Sequence, residues 1–399
     1  MIEPNRRREI LGRGKPPVPF KGEPALGGWY TEEEVEAAVK AIRDSMDWSV
    51  GFGFIIQEIN DFEEAFARYC GTAFAVSVVT ASVGLDMAVM ALDLEPGDEV
   101  ICPAVNFKAS HMAILGQGGR LVFCEIDPRT FCADPADVER RITPRTRAIL
   151  PVHMNGLSAD VDALVAAAER HPHPKHGPPK VIGDAARACG GGYKGTKIGK
   201  RGWCTVFSFH TQKLMTTLGE GGMVTTDDPA LAERLRAIRQ WGGQGWGSSY
   251  KMTKVQAAVG SVQVRRLDEM IGRRVALARE RHRLLEGVRG LTLPYEPPEC
   301  DHTFYLYTLL VPREWAGAKR DRVMAICEQE FGAGCVVANP PTYSAHPYIR
   351  ERTAGQSLPL SEEISSRLFC LSLHPLMTEE QNEYIAAAVI EAVERVRAE

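Results

Sequence analysis

The chain has 399 residues, which is enough for two or three lobes around a large core. Hydrophobic residues make up 44% of it and charged residues 25%, as in an ordinary globular protein. A net charge of −4 gives no indication of binding to nucleic acid or to an acidic membrane. No apolar run approaches the ~18 residues that a membrane span requires.

The N-terminus and the cysteines favour a cytoplasmic protein. Residues 1–10 carry charge but lead into no apolar segment, unlike a signal peptide. The ten cysteines are scattered without a Cys-x-x-Cys pair and mostly lie in apolar runs, which indicates reduced, buried thiols. Histidines cluster between His171 and His176, but the prolines among them favour an exposed loop, and we predict no metal site.

The first elements follow a segment rich in Pro, Gly and Arg, residues 1–25, which we interpret as an extended N-terminal arm. Thr31-Glu-Glu-Glu34 is a capping box that begins a helix running through about Ser45. A second helix carries Phe62 to Tyr69. After it, helical patterns such as 83–92 and 161–170 alternate with apolar runs. These runs lie at 75–79, 99–102, 121–125, 147–152, 180–183, 204–209 and 222–226.

This alternation predicts an α/β fold with a mainly parallel, seven-stranded sheet that helices cover on both faces. Ligands of such sheets bind beyond the carboxyl ends of the strands. Thr80, Asp184 and Ser208 all fall at those ends.

A long amphipathic helix over about 253–287 precedes a different pattern. Short strands and helices then mix, as in an α+β lobe, at about 303–311, 319–331, 335–338, 369–373 and 378–396. We therefore divide the chain into the arm (1–25), a large domain (26–270) and a small C-terminal α+β domain (271–399).

One lysine lies between two strand-like runs in the segment from Cys204 to Thr226. Lys213 follows a run that stops at Ser208 and precedes a tight Gly219-Glu-Gly-Gly222 turn. A lysine in such a dry place loses its proton at low cost and can act as an amine, which a Schiff-base lysine must do. The alternative is a solvated turn lysine.

Upstream, Val181-Ile-Gly-Asp184 is an apolar strand that ends in a single acid. An acid at a strand end, next to a Schiff-base lysine, indicates pyridoxal phosphate, whose ring nitrogen takes an Asp partner. Asp184 alone could equally be a helix cap. The pair, in this order and spacing, favours the cofactor.

Two further segments could contact the same cofactor. Small residues in Val79-Thr-Ala-Ser-Val-Gly-Leu85 let an anion approach a helix N-terminus, where Ser82 can add a hydroxyl group. The alternative is a plain Ser/Thr cap. Asn106-Phe-Lys-Ala-Ser110 should begin a helix, and Phe107 could stack on a flat ring or fill the core.

Taken together, these motifs resemble the DegT/StrS family of pyridoxal-phosphate-dependent sugar aminotransferases, from about residue 22 to the C-terminus. The matching pieces are Phe62-Glu-Glu-Ala-Phe-Ala, Pro96-Gly-Asp-Glu-Val, Pro151-Val-His-Met-Asn-Gly-Leu-Ser-Ala-Asp-Val-Asp-Ala-Leu164, Gly183-Asp-Ala-Ala-Arg-Ala, Ser208-Phe-His-Thr-Gln-Lys-Leu with Gly219-Glu-Gly-Gly, Tyr250-Lys-Met-Thr-Lys-Val-Gln-Ala-Ala258 and Leu371-Ser-Leu-His-Pro375. The resemblance implies a fold-type-I aminotransferase and a homodimer with two sites at the subunit interface.

The resemblance also implies residue roles. Lys213 matches the lysine that binds pyridoxal 5'-phosphate, Asp184 the acid on the pyridinium nitrogen, and Phe107 the ring-stacking aromatic. The phosphate cradle is matched by three positions: Ser82, the backbone of Val83, and Ser208.

Three positions depart from the family pattern. Thr80-Ala-Ser-Val83 replaces the usual Asn-Gly-Thr-Ser/Ala of the phosphate loop. Ser249 stands where an Asn of the partner subunit usually reaches the phosphate. Arg187 stands where Gln or His usually touches the cofactor's phenolic oxygen. Arg187 could stabilise the phenolate, bind an anionic group of the substrate, or be a surface arginine.

The implied function is transamination from glutamate or glutamine to a keto-sugar, most commonly nucleotide-linked, or to a keto-cyclitol, in secondary-metabolite or surface-sugar biosynthesis. Lys213 would move the proton, and Asp184 would keep the ring nitrogen protonated. Four residues of the small domain are candidates for contacts with the acceptor: His302, Tyr305, Tyr343 and His346.

Two alternatives remain open. A dehydratase of the same fold has a His in place of the lysine, so Lys213 argues against it. A non-catalytic binding or regulatory protein would have lost Lys213 or Asp184, and only the altered phosphate loop favours it.

Overall fold

The computed structural model describes residues 2–14, 26–49, 55–243, 245–338 and 340–399. Its α-helices are α1 (Pro4–Gly12), α2 (Glu32–Asp44), α3 (Gln57–Cys70), α4 (Ala81–Met90), α5 (Ala109–Gly116), α6 (Pro135–Arg141), α7 (Val161–Arg170), α8 (Pro229–Arg239), α9 (Lys254–Leu285), α10 (Ala318–Ala325), α11 (Thr342–Ala345), α12 (Pro347–Arg352), α13 (Pro359–Arg367) and α14 (Glu379–Ala398). Its strands are β1 (Phe74–Val78), β2 (Glu99–Pro103), β3 (Arg120–Cys124), β4 (Thr146–Ile149), β5 (Lys180–Asp184), β6 (Gly192–Tyr193), β7 (Thr196–Lys197), β8 (Cys204–Ser208), β9 (Gly222–Thr226), β10 (Cys300–Asp301), β11 (Tyr307–Leu310), β12 (Cys335–Val336) and β13 (Leu368–Leu371).

The seven predicted apolar runs all form strands of one sheet, in the order β1-β9-β8-β5-β4-β2-β3. From β3 to β8 the neighbouring strands are parallel, and β9 pairs antiparallel with both β8 and β1. Every residue of β2, β8 and β9 is buried, as expected for a sheet that helices cover on both faces. The predicted α/β architecture is therefore confirmed.

The helices follow their capping signals. Thr31 and Glu34 form the predicted capping box of α2, and Thr253 does the same with Gln256 for α9. One predicted start was wrong, because α5 begins at Ala109 and not at Asn106. The Asn106 Oδ1 accepts the next backbone N–H at 2.6 Å, and this local bond holds the chain in a turn ahead of the helix.

The N-terminal segment is not extended where the structure describes it. Residues 4–12 form α1, with Ile2 and Ile10 buried in the core of the C-terminal lobe. The Arg7 guanidinium pairs with Glu391 of α14 at 3.1 Å. The sequence pattern showed the basic residues of this segment. It did not show that they pack against α14, which stabilises the helix. Residues 15–25 of the predicted arm lie outside the described residues.

The chain after α9 forms the predicted α+β lobe. Strands β11, β13 and β12 make an antiparallel sheet, and α14 packs its apolar face into the same core. Helix α9 runs unbroken across position 270 and connects this lobe to the large sheet. The domain boundaries proposed from the sequence stay predictions.

Two buried arginines of α9 hold neighbouring segments together. Arg274, 1% exposed, donates to the carbonyls of Leu373 at 2.9 Å and Gly27 at 2.7 Å. Arg281, fully buried, donates to the Asn382 Oδ1 and the Ser372 carbonyl, both at 2.8 Å. Burial lowers the pKa of each guanidinium to about 10.

The cysteines are all free thiols, and nine of the ten are buried. Among the described helices, none is both long and apolar enough to cross a bilayer.

Candidate functional site

A cavity of about 330 Å³ lies at the carboxyl ends of β5 and β8. The N-terminus of α4 and the segment before α5 close two of its sides. Six of the residues predicted for the site line it: Ser82, Phe107, Asp184, Arg187, Ser208 and Lys213. Their convergence follows from the parallel strands, whose carboxyl ends share one edge of the sheet.

Lys213 lies in the turn that follows β8. Its backbone N–H donates to the His210 carbonyl at 2.8 Å, and its Nζ donates to the Tyr305 Oη at 3.1 Å. The N-terminal segment covers this turn closely, since a Cβ on Gly27 would lie 2.2 Å from the carbonyl oxygen of Lys213. The side chain is half-buried and its amine lies at the cavity wall in contact with Tyr305, which favours the Schiff-base interpretation over a solvated turn lysine.

Asp184 ends β5 and is 4% exposed. Its Oδ2 accepts from the Ser110 Oγ at 2.6 Å, and its Oδ1 accepts from the Ala186 N–H at 3.0 Å. These two donors fix the orientation of the carboxylate. A carboxylate has about four acceptor sites, so capacity remains for a cationic partner in the cavity.

The N-terminus of α4 provides a place for an anion. Thr80 caps the helix, and its Oγ1 accepts the Val83 N–H at 3.2 Å. Ala81 and Ser82 line the cavity, whereas Val83 is not among the lining residues. Backbone N–H groups of a first helical turn point out of the helix end, where the dipole favours negative charge. Whether Val83 contributes to a phosphate cradle stays a prediction.

Phe107 is 55% exposed and lines the cavity. It does not fill the core, which was one of the two interpretations of this residue. Its ring is available to cover a flat ligand.

Arg187 is 8% exposed, which rules out a surface arginine. Its Nη1 donates to the Asn155 Oδ1 at 3.1 Å, and its guanidinium carbon lies 5.7 Å from the centroid of the Tyr305 ring. The Asn155 Nδ2 in turn donates to the Thr308 Oγ1 at 2.8 Å. Arg187 therefore places a tethered positive charge in the wall of the cavity.

Ser249 lies outside this cavity, in the segment after α8. It forms an isolated bridge with Gln240, and its Oγ accepts from the Lys251 Nζ at 2.8 Å. Trp241 and Trp246 of the same segment are 48% and 65% exposed. A contribution of Ser249 to a partner's site stays a prediction.

The sequence missed three contacts. Tyr305, expected to contact the acceptor, bonds to the lysine. Ser110 and Asn155 were assigned no role, yet they hold Asp184 and Arg187. None of the four small-domain candidates is among the described residues that line the cavity: His302, Tyr305, Tyr343 and His346. Asn155 carries a weak signal, an Asn-Gly pair after a buried strand, and its φ is 55°.

The chemistry of this set fits pyridoxal phosphate. One cavity joins an amine, an oriented carboxylate, an exposed aromatic ring and a helix N-terminus. These are the groups that the cofactor's aldehyde, ring nitrogen, ring face and phosphate require.

Comparison with known proteins agrees with this assignment. The profile of the DegT/DnrJ/EryC1/StrS aminotransferase family matches residues 30–390. A dTDP-3-amino-3,4,6-trideoxy-alpha-D-glucose transaminase of Streptomyces venezuelae is 35% identical over 390 residues, which are 96% of this chain and 97% of that protein.

Solved structures give the same result. The crystal structure of DesV from S. venezuelae has a TM-score of 0.83 at 34% identity, covering 91% of this chain and 96% of that one. The aminotransferase TlmJ from Streptoalloteichus hindustanus has a TM-score of 0.84 at 27% identity, with 94% and 99% covered.

Proposed function

The chain belongs to the DegT/DnrJ/EryC1/StrS aminotransferase family and is a pyridoxal-phosphate-dependent transaminase, and we propose that it transfers an amino group from glutamate or glutamine to a nucleotide-linked keto-sugar. The observation that carries the proposal is the meeting of Lys213 and Asp184 with the α4 N-terminus in one cavity. The 35%-identical relative, named for a dTDP-linked sugar, supports a sugar over a keto-cyclitol as acceptor.

The bound cofactor supplies an electron-withdrawing ring that stabilises negative charge at the carbon carrying the amino group. Asp184, oriented by Ser110, would hold a proton on the ring nitrogen. Phe107 would cover one ring face. Ser82 and Ser208 would bind the phosphate together with the first N–H groups of α4.

Lys213 would move the proton of the reaction. A free amine at Nζ can take a proton from the substrate carbon on one face and return it at a neighbouring atom. This task requires a neutral amine that is aimed into the cavity and shielded from water. The Lys213 side chain is half-buried and lines the cavity, and its Nζ contacts the Tyr305 Oη at 3.1 Å.

We infer a homodimer with shared sites. Helix α2 and the turn after it present a stripe of exposed apolar side chains, with Val39 36%, Ile42 57% and Met46 79% exposed. Trp246 is also exposed, and Ser249 is not among the described residues that line the cavity of its own chain. Such patches favour a protein partner, and sedimentation velocity at two protein concentrations tests the assembly. The free thiols favour a reducing, cytoplasmic location.

The first experiment is a spectrum. Pyridoxal phosphate added to the purified chain should give a visible band, and either L-glutamate or L-glutamine should bleach it. Lys213→Ala should give no such band, while the surface control Lys200→Ala, whose amine pairs with Asp227 at 2.6 Å, should behave as wild type. A wild-type band that neither amino acid changes would contradict the proposed donors.

The acceptor is tested after bleaching. Nucleotide-linked keto-sugars should restore the visible band, and mass spectrometry should detect the aminated sugar. Restoration by keto-cyclitols alone would contradict the nucleotide-sugar assignment.

A further inference from the structure

Tyr305 contacts the active-site lysine, although it is not among the described residues that line the cavity. Its Oη accepts from the Lys213 Nζ at 3.1 Å, and the Nζ lies 4.9 Å from the centroid of its ring. The side chain is 2% exposed and packs in a cluster with Phe209 and Leu214, which flank the lysine turn. A hydroxyl group buried this deeply cannot exchange its partner for bulk water without cost.

The backbone beside Tyr305 is fixed to the turn at Asn155–Gly156. The Thr303 N–H donates to the Gly156 carbonyl at 3.0 Å, and the Leu306 N–H donates to the Asn155 carbonyl at 3.3 Å. A Cβ on Gly156, whose φ is 107°, would lie 2.8 Å from the Tyr305 nitrogen, so the two segments are in close contact. Tyr305 is therefore held at a defined position relative to the large sheet.

Arg187 adds a charge to this arrangement. The Asn155 that fixes the backbone near Tyr305 also accepts the bond from the Arg187 Nη1, at 3.1 Å. The guanidinium carbon lies 5.7 Å from the Tyr305 ring centroid. A nearby cation makes a phenolic O–H a stronger donor, because it stabilises negative charge on the oxygen.

A tyrosine hydroxyl group can serve both protonation states of an amine. It accepts a hydrogen bond from an ammonium group and can donate one to a neutral amine. The other titratable or charged groups that line the cavity beside Lys213 are Asp184, Arg187, His210 and Glu220, and Arg274 of α9 interacts electrostatically with Tyr305.

We propose that Tyr305 is a positioning residue for Lys213: its hydroxyl group holds the Lys213 Nζ and directs it into the cavity. The inference rests on the transaminase function proposed above. It assigns Tyr305 a role in proton transfer and cofactor capture, in place of contact with the acceptor.

The test is Tyr305→Phe, which keeps the ring and removes the hydroxyl group. The rate at which apoprotein takes up pyridoxal phosphate, followed by visible absorbance across pH, should show two changes. The uptake rate on the high-pH plateau should fall about tenfold, because the neutral amine of Lys213 loses its orientation. Its midpoint should move to lower pH, because the ammonium form loses an acceptor. In turnover, kcat should fall about tenfold or more while KM for the donor changes less.

Tyr307→Phe is the matched control. The Tyr307 side chain is fully buried two residues away, but its hydroxyl group lies 3.2 Å from the His282 Nδ1 and not at the cavity. Thermal unfolding of both variants measures the cost in packing. We expect the control to retain the wild-type plateau and midpoint, and Tyr305→His, which restores a polar ring atom, to recover part of the plateau.

Unchanged uptake in Tyr305→Phe, or equal losses in the two Phe variants, would overturn the inference. If the wild-type apoprotein gave no visible band at all, the proposed function would fail instead. The two failures are therefore distinguishable.

Discussion

Arg187 places a fixed cation in the wall of the cavity proposed to bind pyridoxal phosphate, which has an ionisable phenolic oxygen. The tether to Asn155 limits where the guanidinium can turn. A cation at that oxygen favours its anionic form, so the visible band should titrate at a lower pH than without it. Arg187→Gln, which restores the common family residue, should therefore raise the pH midpoint of the visible band.

The absorbance of the cofactor-loaded protein across pH measures this midpoint. Arg201→Gln is the control, since Arg201 pairs with Asp162 at 2.8 Å outside the cavity. A midpoint that stays in place while KM for the donor rises would mean that Arg187 binds a substrate anion and not the phenolic oxygen.

Ser110 supports the acid of the site from a neighbouring helix. Its Oγ is fully buried and bonds to the Asp184 Oδ2 at 2.6 Å. Hydrogen bonds to charged groups are worth about 1.5 kcal/mol or more, so Ser110→Ala should weaken binding of pyridoxal phosphate about tenfold. An absorbance titration gives this dissociation constant.

A good control for that change is Ser365→Ala. Ser365 is 5% exposed, and among the described residues its Oγ has no hydrogen-bond partner. Equal effects of the two substitutions on cofactor binding would show that Ser110 does not act through Asp184.

At the scale of elements, continuous apolar runs located all seven strands of the main sheet, since a strand that helices cover on both faces must be apolar throughout. A capping box located the start of α2, and an amphipathic pattern located α9, because both are local signals. The docking of α1 on α14 and the bond between Tyr305 and Lys213 were not predictable in this way. Both join residues far apart in the chain, and no local pattern encodes such a contact.

A buried arginine of helix α9 provides a stability prediction at the scale of elements. Arg281 joins it to Asn382 of α14 and to the Ser372 carbonyl after β13. Arg281→Met would keep the apolar stem but leave these buried acceptors unpaired. We expect the free energy of unfolding to fall by about 2–4 kcal/mol. Urea denaturation measures it, and Arg283→Met, on an exposed side chain paired with Glu280 at 2.5 Å, should cost far less.

At the scale of the whole molecule, the site depends on segments from both lobes. The large sheet supplies Asp184, Ser208 and Lys213 at its strand ends, whereas Tyr305 comes from the segment that leads into the small-lobe sheet. Such an assembly requires that the lobes be docked before the lysine is positioned. Stability and function should therefore be lost together when the interior of the fold is disturbed.

Lowering the pH should destabilise the fold through its buried histidines. Burial lowers the pKa of four of them, to about 4 for three and about 3 for one: His111, His153, His374 and His302. In the unfolded chain a histidine titrates near 6.5. The unfolded state therefore binds more protons below that pH, and stability, fully present above about 6.5, is lost as pH falls toward 4.

The free energy of unfolding should fall by about 1.4 kcal/mol per buried histidine for each pH unit well below 6.5. His111→Gln should reduce the slope of the free energy of unfolding against pH by the contribution of one proton, because glutamine does not titrate. It can still donate to the Pro103 carbonyl, which lies 2.9 Å from the His111 Nε2. Urea denaturation at pH 7, 6 and 5, at one protein concentration, gives the slopes. Identical slopes for wild type and His111→Gln would mean that His111 does not take up a proton on unfolding, and any acid sensitivity would then have to come from the other buried histidines or from carboxylate pairs at lower pH.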